Sequence, residues 1–241
     1  MHTEQKIGLI TGANKGIGLQ TARELGKAGW TVLLGARNPE HGHAAESRLR
    51  EEGLDARFLE LDVTNPQTIS AAAVKIHGEF GRLDVLVNNA GIVDQQDGPP
   101  SSASVEAVNR VMRTNFLGTI AVTQATLPLI RKSTAGRIVN VSSGLGSIAR
   151  NSDPKWDLRY ELLGYCSSKA ALNMFTVQLA FELKKEGITV NSVNPGYTAT
   201  DLNAHRGHQS VDEGAAEVVR RALLEDGPTG GFFETGSSLP W

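Results

Sequence analysis

The feature that most constrains this chain is a regular alternation of short apolar runs with segments of helical period, beginning at its first residues. Residues 6–11 (KIGLIT) form an apolar run ending at a glycine, as a strand buried on both faces does. In residues 16–28, Ile17, Ala22, Leu25 and Ala28 recur at helical spacing before Gly29, a common helix-ending residue. Residues 31–36 (TVLLGA) are a second strand, and Asn38-Pro39 reads as the cap and first position of a helix reaching Glu52. The punctuation then repeats. A strand at 56–63 is followed by a helix opened by Asn65-Pro66, and a strand at 83–91 by a long helical stretch over 104–131. Pro128 inside that stretch predicts a kink or break. A strand at 136–143, a helix at 165–185, a strand at 188–196, a helix at 211–224 and a short strand at 230–233 complete the chain. Right-handed crossovers between such strands place helices on both faces of a parallel sheet. The expected fold is therefore α/β, a doubly wound parallel sheet of about seven strands. It forms one domain over residues 1–241, because no repeat, low-complexity tract or Gly/Pro/Ser linker separates two cores.

Composition removes several function classes. The hydrophobic fraction is 40% and the charged fraction 21%, as in ordinary globular proteins. A formal net charge of -2 gives no field that favours nucleic acid or an acidic membrane. No apolar run reaches the roughly 18 residues of a membrane span. The opening MHTEQKIGLITG has no apolar segment behind a basic start, so no signal peptide is expected. The lone Cys166 forms no internal disulfide and suits a cytoplasmic setting; it reads as a packing residue, not a nucleophile. His41 and His43, like His205 and His208, read as solvated surface residues, and no metal site is expected.

The first strand runs into Thr11-Gly12-Ala13-Asn14-Lys15-Gly16-Ile17-Gly18, which opens the first helix. In a doubly wound sheet this turn is where a dinucleotide pyrophosphate sits, on the free N–H groups of the helix N-terminus. TGANKGIG resembles the cofactor loop of the short-chain dehydrogenase/reductase family. NNAG at 88–91, TNFLG around Asn115, NVSS ending at Ser143, YxxxK from Tyr165 to Lys169, and Pro195-Gly196 resemble further motifs of that family, in family order along nearly the whole chain. The resemblance implies a single-domain Rossmann fold and a nicotinamide cofactor. That cofactor would be held by Gly12, Asn14, Lys15, Gly16, Ile17, Gly18, Asp62, Val63, Asn89, Ala90, Gly91, Tyr165, Lys169, Pro195, Gly196, Thr198 and Thr200. Asp62 reads equally well as a strand-end turn residue. NAD-binding sites of this fold place an acid at the end of the second strand. Here Ala36 stands there, followed by Arg37, which with Lys15 suits a 2'-phosphate and hence NADPH/NADP+.

Tyr165 and Lys169 lie four apart, on one face of a helix. A free tyrosine has a pKa near 10, and a neighbouring cation is expected to lower it. The resemblance implies that Tyr165 exchanges the proton and that Lys169 also holds the nicotinamide ribose. It implies further that Ser143 hydrogen-bonds the substrate oxygen and that Asn115 positions a relay water. Ser142 competes with Ser143, since side chains alternate along a strand; Ser143 is chosen because it matches the family's position.

After the last long strand only residues 201–210 precede the next helix, so the substrate lid is short and the mouth is expected to be open. Between Ser143 and Tyr165 lies an insertion containing Asp153, Pro154, Lys155 and Trp156, which resembles the carbonyl-reductase members. It would line the pocket or cover the face through which many members oligomerise. Trp156 and Tyr197 are candidate pocket walls. The resemblance implies an oxidoreductase that reduces a small-molecule ketone, aldehyde or quinone, or oxidises the corresponding alcohol; a homo-oligomer is left open. A rival on the same fold, a non-catalytic NADPH-binding sensor or interaction protein, would need Gly12, Gly16, Gly18 and Arg37 but not Ser143, Tyr165 and Lys169. A sugar-nucleotide epimerase would carry a TGxxGxxG loop and a larger C-terminal domain, and this chain has neither.

Overall fold

A computed structural model describes residues 5–156 and 161–241. The start of the leader reading (1–4) and part of the insertion (157–160) lie outside the described residues. Eight strands form one sheet in the order β3-β2-β1-β4-β5-β6-β7-β8. They are β1 (Ile7–Thr11), β2 (Thr31–Ala36), β3 (Ala56–Glu60), β4 (Val85–Asn88), β5 (Arg137–Val141), β6 (Thr189–Val193), β7 (Phe232–Glu234) and β8 (Ser237–Ser238). All pairings are parallel except β7 with β8, an antiparallel edge hairpin that the two-residue length of β8 hides from periodicity.

Alternation along each central strand sends neighbours into two separate cores. Leu9, Leu86 and Ile138 enter one, beneath α3 (Pro66–Phe80), α5 (Gly118–Ile130) and α7 (Leu163–Leu183). Ile10, Val87 and Val139 enter the other, beneath α1 (Gly16–Lys27), α2 (Pro39–Glu51) and α8 (Val211–Leu223). Because both faces are covered, β1, β2, β4 and β5 are buried at every residue, which is why they read as mainly apolar runs without polar alternation. The helix boundaries follow their punctuation. Asn38 and Asn65 cap α2 and α3, each followed by proline, and Gly81 closes α3 at φ 72°.

The long helical stretch departs from expectation. Its chain is unbroken through Pro128, which sits near the end of α5, where a missing N–H costs one bond. The irregularity lies earlier: α4 (Val105–Met112) passes into a wide π turn over Arg113–Leu117, centred on Asn115. Inside the insertion a short helix, α6 (Ile148–Ser152), packs towards the C-terminus, with Ala149 N donating to Trp241 O. No helix among the described residues is long and apolar enough to cross a membrane.

A buried polar ladder ties α7 to the middle of the sheet. Asn88, Asn140 and Ser192 are in register on adjacent strands. Asn88 Nδ2 donates to Asn140 Oδ1 at 2.9 Å, Asn140 Nδ2 to Thr176 Oγ1 of α7 at 2.9 Å, and Thr176 Oγ1 pairs with Ser192 Oγ at 2.9 Å. Thr176 lies two helical turns beyond Lys169, on the same face, so the ladder fixes that face against the sheet. Replacing Asn140 with alanine removes one hydrogen bond from each of two buried groups, Asn88 Nδ2 and Thr176 Oγ1. Asn140→Ala is expected to lower the unfolding free energy by about 1–3 kcal/mol, measured by urea denaturation.

Candidate active site

The strand order reverses between β1 and β4, and a cleft of about 660 Å³ opens at the carboxyl ends of the strands there. Its floor exists because two backbones approach closely. A Cβ on Gly12 would stand 3.0 Å from Ala90 Cα, and one on Gly18 would stand 2.5 Å from Asn89 Nδ2. Gly12 and Gly16 also turn at φ 64° and 56°, where side chains are strained. Asn89 completes the joint: its N–H and that of Ala90 donate to Thr11 Oγ1 at 3.0 Å, and its amide donates to Thr11 O at 2.9 Å. The α1 N-terminus that faces this cleft has no side-chain cap, whereas Asn38, Asn65, Ser104 and Ser210 cap α2, α3, α4 and α8. Free N–H groups over a glycine turn form a cradle that fits a pyrophosphate.

Of the residues expected to hold the cofactor, Gly12, Asn14, Lys15, Gly16, Ile17, Arg37, Asp62, Val63, Asn89, Ala90, Gly91, Tyr165, Lys169, Pro195 and Thr200 line the cleft. Three stand outside its lining. Gly18 packs behind the turn, the space for a Cβ on Gly196 is taken by Gln209, and Thr198 faces α8 at Gly214, bonding Pro195 O at 3.0 Å. Asp62 proves to be a turn residue as well, since its Oδ1 accepts from Thr64 N and Oγ1, both at 2.8 Å. Among the cations of the cleft, Lys15 is paired with Asp201, which His205 also bonds at 2.8 Å. His205 is an exposed surface residue, as its polar surroundings suggest, and it bonds Asp201 there. Arg37 is exposed and, among the described residues, has no hydrogen-bond or ion-pair partner. The short segment after β6 supplies Ala199, Asp201, Leu202 and His205 to the lining and is tied through Lys15 to the glycine loop, so the cleft is bridged there. Trp156 and Tyr197 are not part of the lining; Tyr197 has its ring 5.9 Å from His208. Among the described residues no cluster of three metal-ligating side chains forms.

Ser142 and Ser143 separate as alternation requires. Ser142 Oγ donates to Asn173 Oδ1 at 2.6 Å, while Ser143 hydrogen-bonds the Tyr165 hydroxyl. Tyr165 and Lys169 are buried, and the Lys169 ammonium lies 5.7 Å from the Tyr165 ring centre, donating to Val141 O at 2.7 Å. Their titration departs from the expected one. Burial pushes the Tyr165 hydroxyl up to about 12, against the Ser143 hydrogen bond, and pushes Lys169 down to about 8. The ammonium points at a carbonyl and not at the phenol oxygen, so desolvation governs both groups. Asn115 is fully buried; its amide donates to Ile92 O at 3.0 Å and Ser168 Oγ at 3.1 Å and accepts from Ile92 N at 2.8 Å. Both donors of that side chain are committed, so it braces the loop after β4, and a relay water would rest on its main-chain carbonyl, which also takes Thr119 Oγ1.

A family model described as short chain dehydrogenase matches residues 6–210. The chain is 34% identical to short-chain dehydrogenase/reductase 1 of Saponaria officinalis, covering 98% of this chain and 96% of that one. It is also 34% identical to carbonyl reductase 1 (NADPH) of Mus musculus, over the full length of both. Among solved structures, an NADPH-bound carbonyl reductase from chicken fatty liver superposes with a TM-score of 0.87 at 26% identity, covering 99% of this chain and 100% of that one.

The opposed shifts have a stability signature. With Lys169 lowered from 10.5 to about 8, the folded chain holds fewer protons than the unfolded chain between those values. Stability therefore rises with pH across that window, and the cost of the buried ammonium is complete below it. Tyr165 acts with the opposite sign from pH 10 to about 12, where stability falls. Nucleotide-free Lys169→Met is expected to be more stable than the parent at pH 7 by roughly 2 kcal/mol, with the gap closing between pH 8 and 10.5. Urea titrations at stepped pH check this, and a gap independent of pH would contradict it.

Proposed function

The chain belongs to the short chain dehydrogenase family, and we propose that within it the protein is an NADPH-dependent carbonyl reductase acting on a ketone, aldehyde or quinone. The family makes it an oxidoreductase of C=O and CH–OH groups. One observation carries the finer reading: a cleft lined beside β5 by Tyr165, whose hydroxyl Ser143 hydrogen-bonds from behind the lining, and beyond β2 by an unpartnered cation, Arg37. In the strand order these lie three strand spacings apart, roughly 14 Å, a span suited to a dinucleotide laid across the cradle. Arg37 and Lys15 would hold the 2'-phosphate, Lys15 by exchanging Asp201 for it. The N-terminus of α1 would hold the pyrophosphate, and Lys169 the nicotinamide ribose. The names of the mouse and chicken relatives support this choice of nucleotide.

When bound, the reduced nicotinamide supplies the hydride. The chain supplies the rest. Ser143 Oγ accepts from Leu145 N at 3.2 Å, which orients the hydroxyl beside Tyr165, and its proton would turn from the Tyr165 oxygen to a substrate oxygen. Tyr165, with its pKa near 12, is a neutral phenol at working pH, the form a reduction needs. As charge grows on the substrate oxygen, the Tyr165 proton moves to it, leaving a phenolate whose ring centre lies 5.7 Å from the Lys169 ammonium. Lys169, with a pKa near 8, is able to exchange protons with solvent near neutrality. Asn115 holds the loop beside this pair. A sensor on the same fold would have no use for these buried groups.

NADPH oxidation followed by absorbance against a panel of ketones, aldehydes and quinones tests the reading; tight NADPH binding with no oxidation by any of them would favour the sensor. Tyr165→Phe is expected to lower kcat by about 10²–10⁴-fold while NADPH still binds, as read by fluorescence titration. Arg37→Asp is expected to weaken NADPH on the order of 10–100-fold with little effect on NADH. Equal losses for both nucleotides would remove the phosphate role.

A further inference from the structure

We propose that Asp97 is a positioning residue for Tyr165, holding the first turn of α7 from a loop 68 residues away; the inference rests on the reading of Tyr165 as proton donor. The residue before α7 is Leu162, which supplies no side-chain cap. The leading N–H groups are nevertheless satisfied, all from one loop dipeptide. Leu163 N donates to Gly98 O at 3.0 Å, Gly164 N to Asp97 Oδ1 at 2.9 Å, and Tyr165 N to Asp97 Oδ2 at 2.9 Å. Cys166 N, donating to Leu162 O at 2.9 Å, is the first to bond inside the helix. Tyr165 therefore stands in the turn that frays most readily, and a carboxylate on another segment decides where that turn begins.

The loop that carries Asp97 is itself braced. Arg110 of α4 grips Asp94 with two hydrogen bonds, at 2.7 and 3.0 Å, and takes Gln96 Oε1 at 2.9 Å. That contact holds the Asp94 carboxyl down at about 2. Upstream, Asn115 clamps Ile92 through both its main-chain groups. Gly164 permits the approach: a Cβ there would meet Val108 Cα of α4 at 3.1 Å and Asp97 Oδ2 at 3.2 Å. Further along α7, Lys169 is held by Val141 O and Thr176 by the buried ladder. Asp97 fixes the opposite side of Tyr165, so the phenol is held between two anchored points. Proton transfer tolerates about half an ångström of misplacement, which a frayed first turn exceeds.

Asp97→Ala removes both acceptors, whereas Asp97→Asn keeps one. The expected result is a kcat about 10–100-fold lower in Asp97→Ala with NADPH affinity unchanged, and partial recovery in Asp97→Asn, measured well below the thermal transition of each variant. Unchanged kcat in both variants, or loss of NADPH binding in step with kcat, overturns the proposal. If Asp97→Ala does not fold, Asp97→Asn is read against the parent by the same criteria. A second readout needs no turnover. The chain has three tyrosines, so ¹³Cζ-tyrosine NMR with Tyr165→Phe for assignment reports the phenol directly. Asp97→Ala should move or broaden the Tyr165 resonance and leave Tyr197 in place; an unmoved Tyr165 resonance overturns the proposal. A parent chain that oxidises NADPH with no carbonyl defeats the reductase reading, while the NMR result still decides the positioning role.

Discussion

The contact between the glycine turn after β1 and the Asn89–Ala90 segment after β4 is the joint on which the cleft depends. Without a Cβ at Gly12 and Gly18 the two backbones close to van der Waals distance, and Thr11 and Asn89 then bond across the gap. That approach sets the cleft floor, frees the α1 N-terminus to face it, and starts the loop from Ile92 onward in a fixed direction. Asn115, the π turn and α7 all take their positions from that loop. An added methyl on Gly12 would press on Ala90 Cα, and one on Gly18 on the Asn89 amide and Gly12 O, disturbing the joint at the point where the strand order reverses.

Packing above this joint creates the chemistry by withholding water. Tyr165 and Lys169 are buried side by side, yet the lysine is spent on Val141 O, so neither neutralises the other. The phenol keeps its proton more firmly than in water and the amine holds its own less firmly. In the proposed reduction the phenol would be the proton donor and the amine the group that restores the proton. The buried Asn88–Asn140–Thr176 ladder and the carboxylate of Asp97 hold the helix that carries both residues.

The cleft's charges are divided between committed and uncommitted groups. Lys15 is engaged by Asp201, and Asp201 also by His205, so the segment after β6 and the glycine loop are joined through an exposed ion network. Arg37 stands apart from it. An exposed pair of this kind is worth little to stability, and a dianionic group competes with it readily.

The sequence by itself determined the layers, most element boundaries, the place of the cleft and the chemical types in it. These are local signals: alternation and helical period span a few residues, asparagine-proline caps act within one turn, and the i, i+4 spacing of Tyr165 and Lys169 places them on one helix face without reference to the rest of the chain. The tertiary structure decided what depends on groups distant along the chain. It turned Ser142 towards Asn173 and Ser143 towards Tyr165, moved the helix irregularity from Pro128 to Asn115, turned Thr198 away from the cleft, and paired Lys15 and His205 through Asp201. It also reversed the expected titration of Tyr165, because a pKa answers to desolvation and to the direction in which an ammonium points, and neither exists until α7 packs against β5. Asp97, in a loop without periodicity and 68 residues from the tyrosine it bonds, leaves no local signature at all.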